Sequence, residues 1–370
     1  MKKLGNGLLT SVVALGMTFS TQVISTQASA EEVVKVYNWS DYIDESILTE
    51  FEAETGIKVI YDVFDSNDLL ETKLLAGNSG YDVVVPSGTF LARQIQAGVF
   101  QKLDQSKLTN KGNLWDVVQE RVEKYDPGNA YAVNYMWGTT GIGYNEAMIK
   151  ERLGIDHIDS WDVVFNPEKL AKLKDCGVYM LDASDEIIPA ALNYLGKNPD
   201  SQDKADIKAA EDLLMTIRPY IQKFHSSEYI SALANGDICL SVGWSGDMIQ
   251  ARDRAADAKN GVVVAYSIPN EGALMWFDLM AVPADAANLG NAHKFINYMM
   301  RDDVMAKASN HVFYANGNLA SQKLLAEDLL SDPTIYPDSG TMQNLYTTTP
   351  YGPKIQRVVT RAWTKVKSGS

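Results

Sequence analysis

Asp278 is a carboxylate inside an otherwise apolar, strand-like run, Ala273-Leu274-Met275-Trp276-Phe277-Asp278-Leu279-Met280-Ala281-Val282. With the two-residue period of a strand, Trp276 and Asp278 share one face. Burying an unpaired carboxylate costs several kcal/mol, so Asp278 either has a fixed partner or awaits a charged ligand. This segment alone leaves both open. The same pairing of aromatic and acid recurs at Trp244 with Asp247, and at Trp39 with Asp41 and Tyr42. A primary ammonium needs acceptors for its N–H donors and is attracted to aromatic faces by roughly 0.5–2 kcal/mol each. A methylene chain between two ammoniums fits flat apolar walls. The convergence of these pairs therefore suits an aliphatic diamine. A Trp taken singly is a packing residue, which is the reading for Trp115, Trp161 and Trp363. Asp41 lies where a helix is expected to start, so Ser40 or Asp41 is an expected N-cap.

The elements around these residues alternate between strand and helix. Residues 33–39 read as a strand, 42–55 as a helix stopped by Gly56, and 57–64 as a second strand. Residues 67–77 read as a helix with acidic Asp68 and Glu71 early, 81–87 as a buried strand, and 90–96 as a helix. That series predicts a parallel, helix-covered sheet. In the second part, strands over 178–181, 238–244 and 274–282 alternate with helices over 187–194, 201–218 and 292–308. No repeat or low-complexity linker separates the halves. The expectation is an α/β chain of two lobes joined by short crossovers. Lobe 1 would comprise 31–136 and 277–320, and lobe 2 would comprise 137–276 and 321–370. Ligands of open α/β sheets settle beyond the carboxyl ends of strands, where the aromatic and acidic residues lie.

Residues 1–30 have a basic start at Lys2 and Lys3, an apolar middle, and Ala28-Ser29-Ala30 before Glu31. This pattern predicts a cleavable export signal and a periplasmic protein. Without Lys2 and Lys3, 31 basic residues face 47 acidic ones, a net charge of −16. Such a chain repels nucleic acid and anionic lipid. Cys176 and Cys239 are the only cysteines, and in an oxidising compartment an even pair reads as a disulfide. Four histidines and no C-x-x-C argue against a metal. His225 and His293 fall in polar helical stretches and are expected on solvated faces. No cofactor is expected. Ser87 lacks the G-x-S-x-G setting of a hydrolase nucleophile, so no enzyme activity is expected.

The chain resembles the bacterial periplasmic putrescine- and spermidine-binding proteins of ABC transporters, most closely the putrescine type. The likeness runs through 31–370 and is carried by Tyr37-Asn38-Trp39-Ser40-Asp41-Tyr42-Ile43, Tyr81-Asp82-Val83-Val84-Val85-Pro86-Ser87, Cys176-Gly177-Val178, Gly243-Trp244-Ser245-Gly246-Asp247, His311-Val312-Phe313-Tyr314-Ala315-Asn316 and Thr360-Arg361-Ala362-Trp363-Thr364-Lys365. It implies a periplasmic binding-protein fold of type II character, with a cleft between lobes that closes about a hinge. Trp39, Ser40, Tyr42, Trp244, Trp276 and Tyr314 would line the cleft, with Ser87 and Thr89. Glu186, Asp247 and Asp278 would hold the ammonium groups. The family's disulfide falls on Cys176 and Cys239. The partners implied are a polyamine and a membrane ABC permease complex, with the protein itself a monomer. Trp276 stands where the putrescine type usually has Phe, whereas Ala183 and Thr89 match that type. The resemblance thus implies putrescine, with spermidine as a second ligand. The alternatives are a polyamine sensor for a membrane receptor, or a binder of another small cation or solute on this fold.

Overall fold

A computed structural model describes residues 32–370, and the expected export signal lies outside them. The β-branched run Val33–Trp39 forms β1, which pairs in parallel with β2 (Lys58–Phe64) and with β3 (Val83–Val84). The expected strand over 81–87 is thus short, although Tyr81–Pro86 is buried throughout. The next strand in sequence is β4 (Ala132–Asn145), fourteen residues long and buried at every position. After it come β5 (Val178–Met180), β6 (Lys223–Phe224), β7 (Leu240–Trp244), β8 (Val264–Ser267), β9 (Met275–Ala281) and β10 (Ala315–Asn316).

The strands form two sheets that share β4. Its first half, Ala132–Thr139, runs antiparallel to β9, which continues through β3 to β1 and β2, and β10 also pairs there. Its second half, Thr140–Asn145, pairs antiparallel with β7 and β8, and β7 continues in parallel to β5 and β6. The fold is therefore a two-lobed α/β periplasmic binding-protein fold. The strands of the 33–104 series, β1, β2 and β3, are parallel as expected, and the antiparallel strands β9 and β4 make each whole sheet mixed. The reason is that β9 and β4 enter from distant sequence rather than through a short βαβ crossover.

Three further expectations are corrected. The helix expected over 292–308 is two helices, Leu289–Met299 and Asp302–Val312, broken at Met300–Arg301. The apolar spacing runs on through the break, but Asp302 and Asp303 open a new first turn and Arg301 pairs with Asp303. His293 is buried, its Nε2 accepting from the Asp104 N–H and its Nδ1 2.8 Å from the Leu289 carbonyl, so it lies on no solvated face. The helix after β1 is Glu45–Thr55, capped by the Asp44 carboxylate rather than by Ser40 or Asp41. Asp41 instead has a left-handed backbone (φ 54°), and its carboxylate meets Arg254 Nη2 at 2.8 Å.

The Cys176–Cys239 disulfide is formed, with a Cα–Cα distance of 5.5 Å, and ties the approach to β5 to that of β7. Trp161 and Trp363 are buried packing residues as expected, and Trp115 packs half-buried against the core.

Candidate ligand site

The site is assembled from strand ends and helix starts. Trp39 closes β1 and Trp244 closes β7. Trp276 and Asp278 stand on β9, and Tyr314 directly precedes β10. Ser87 precedes the helix Gly88–Gln96, while Glu186 and Asp247 sit in the first turns of the helices Ser184–Tyr194 and Ser245–Ala258. An acid in a first turn meets the positive end of the helix dipole, which favours its charged form.

These residues surround one cavity of about 420 Å³, together with Ser40, Tyr42, Asp65 and Ser226. Every expected site residue except Thr89 is among them. Thr89 lines a neighbouring cavity with Asp68, Asp185, Thr348 and Tyr351. Asp65 and Ser226 were missed. Asp65 directly follows Phe64, the last residue of β2, so the pairing of aromatic and acid at a strand end could have found it, whereas Ser226 sits in the polar loop after β6 and carried no signal.

Hydroxyl groups hold Asp278, Asp247 and Glu186. Asp278 accepts from Tyr42 Oη at 2.9 Å and from Ser87 Oγ at 2.5 Å, and Asn67 donates in turn to Ser87 Oγ at 3.0 Å. Asp247 accepts from Tyr229 Oη at 2.5 Å and from Tyr314 Oη at 2.6 Å. Glu186 accepts from Thr140 Oγ1. The aromatic walls brace one another edge to face. Trp39 and Trp244 have ring centroids 5.5 Å apart, Tyr42 and Tyr314 5.1 Å, and Trp276 and Tyr314 5.4 Å. Gly246 permits this packing, because a Cβ there would lie 2.4 Å from Tyr314 Cδ2.

The cavity lining contains four acids, Asp65, Glu186, Asp247 and Asp278, and no Lys, Arg or His. Burial pushes Asp278 up to about 7 and Asp247 up to about 6, against the hydrogen bonds from their hydroxyl partners. Glu186 is also raised, first by burial and then by the neighbouring Asp185 carboxyl. The choice left open for Asp278 is thereby narrowed: its fixed partners are neutral donors, and no basic side chain lines its cavity. A dication with a short apolar spacer is the chemistry such an enclosure can compensate.

Comparison with known proteins agrees with this architecture. The family model for bacterial extracellular solute-binding proteins matches residues 46–337. The putrescine-binding periplasmic protein of Pseudomonas aeruginosa is 52% identical over 370 residues, covering 100% of both chains. That of Escherichia coli is 53% identical over 348 residues, covering 94% of each. The solved spermidine/putrescine ABC transporter substrate-binding protein of Streptococcus pneumoniae superposes with a TM-score of 0.73 at 30% identity, covering 91% of this chain and 99% of that one. With the model spanning most of its length, the chain belongs to the bacterial extracellular solute-binding protein family.

Proposed function

We propose that this protein captures a polyamine in the periplasm, putrescine before spermidine, and delivers it to a membrane ABC permease. The observation that carries the reading is the aromatic cavity lined by four carboxylates and no basic side chain. Asp247 and Asp278 take the ammonium groups, with Glu186 contributing a further acceptor. Trp39, Tyr42, Trp244, Trp276 and Tyr314 flank the methylene chain, and Ser40 and Ser87 complete the polar lining. Thr89 acts outside this set, in the adjoining cavity. The curated relatives named for putrescine support the choice of ligand. The protein acts by binding and release, without chemical turnover, in keeping with relatives that are solute-binding proteins.

The proposed lobe limits remain 31–136 with 277–320 and 137–276 with 321–370. β4, which pairs in both sheets, supports a passage of the chain between lobes near residue 137. Ligand contacts from both lobes favour the closed form, which is the form the permease would receive. Titration calorimetry with putrescine, cadaverine, spermidine and spermine tests the reading. It expects saturable binding of putrescine at least as tight as of the triamine. Absence of heat with all four amines refutes it.

A further inference from the structure

Asp247 is fixed by two phenols of different standing. Tyr314 lines the cavity, whereas Tyr229 does not. Tyr229 lies on the helix Tyr229–Asn235, is 0% exposed, and packs where a Cβ on Gly243 would meet its Cε2 at 2.8 Å. Its hydroxyl donates to Asp247 Oδ2 at 2.5 Å and accepts from the Trp244 N–H at 3.4 Å. A phenol has one proton to donate, and here a carboxylate at the site takes it.

We propose that Tyr229 is a positioning residue for ligand capture: it orients the Asp247 carboxylate and keeps it charged, without touching the ligand. The proposal rests on the polyamine reading above. A carboxylate accepts about four hydrogen bonds, so two hydroxyls leave lone pairs free for an ammonium. Hydrogen bonding to the charged form opposes the burial that raises Asp247. The other groups facing Asp247 are Tyr314 as a second donor, Asp41 and Asp278 as like charges, Tyr42, and Arg254 as a cation. Removing the Tyr229 hydroxyl leaves burial and the like charges less opposed. Asp247 then takes up a proton at higher pH, and a protonated Asp247 loses its charge for the ammonium.

The test is putrescine affinity from pH 6 to 8.5 for wild type, Tyr229→Phe, Asp247→Asn and the double variant. Phe keeps the ring packing. The expected loss in Tyr229→Phe is about tenfold at pH 6 and within about threefold at pH 8.5, because the missing hydrogen bond matters most where Asp247 competes with protons. In the Asp247→Asn background, Tyr229→Phe costs nothing further, since the pair acts as one unit. A pH-independent loss, no loss, or additive losses each overturn the proposal. Should the Phe variant not fold, 3-fluorotyrosine at position 229, a stronger donor on nearly the same ring, is expected to move the profile to lower pH. An unmoved or upward-shifted profile overturns the proposal. A wild type that takes no diamine refutes the polyamine reading itself, whereas binding with unaltered pH profiles refutes only the role of Tyr229.

Discussion

Putrescine capture by this site is expected to expel protons. At pH 7 the empty site holds Asp278 about half protonated and Asp247 about a tenth, from values pushed up to about 7 and about 6. Glu186, raised by burial and by Asp185, retains a larger share. A bound dication favours the charged form of all three, so loading at pH 7 releases roughly one to two protons. Lowering the pH from 8 to 6 refills these carboxyls and weakens binding on the order of a thousandfold. The assay is titration calorimetry at fixed pH in buffers of different ionisation enthalpy, where the slope of apparent enthalpy gives the number of protons. A slope near zero at pH 7 with binding intact refutes the reasoning. So does affinity that rises as the pH falls.

The remaining expectations follow from the same geometry. Asp278 has its folded value raised well above the usual carboxylate value, so the stability it contributes is present below that value and lost as pH rises through about 7. The ligand-free protein should therefore melt lower at pH 8 than at pH 5.5. Asp278→Asn should remove the Asp278 share of that difference, on the order of 2 kcal/mol at its upper bound, while abolishing tight diamine binding. Parallel thermal melts and titrations check both halves. Gly246→Ala drives a methyl into the Tyr314 ring and should weaken putrescine at least about tenfold through the displaced wall, read by titration. Replacing both cysteines by Ala opens a loop spanning 63 residues of sequence and should cost about 4 kcal/mol, lowering the melting temperature by about 6 °C in calorimetry. Thr89→Ala, outside the main cavity, should leave putrescine affinity within about twofold.

Much of the site was legible because its chemistry is unusual at short range. An acid beside an aromatic at a strand end is visible in the one-dimensional pattern, and so Trp39, Trp244, Asp247, Trp276 and Asp278 stand out without knowing the fold. Glu186, Ser87 and Tyr314 carry no such mark and came from the family resemblance. Asp65 bears the aromatic–acid mark, beside Phe64 at the end of β2, and was passed over, whereas Ser226 escaped both routes because a lone polar residue in a loop reads as solvated until tertiary structure encloses it. The fold was read well where elements are local. β1 has the expected limits, and the helix Asn67–Leu75 begins where expected. It was misread where pairing is remote. Nothing near Val83 discloses that β9, some 190 residues later, lies antiparallel beside it. The interruption at Arg301 was hidden because hydrophobic spacing tracks burial, and both helices bury the same side of the chain.

β4 has a mechanical consequence. Its fourteen residues serve one sheet up to Thr139 and the other from Thr140, without a break in the strand. Neither sheet can lose this strand while the other stays whole. The molecule should therefore melt in one calorimetric transition rather than two, and the amides of Ala132–Asn145 should be among the last to exchange with deuterium. Opening and closing must then be accommodated as a slight change of twist along a continuous ribbon, so the motion that admits the ligand need not disturb the cooperativity that keeps the chain folded.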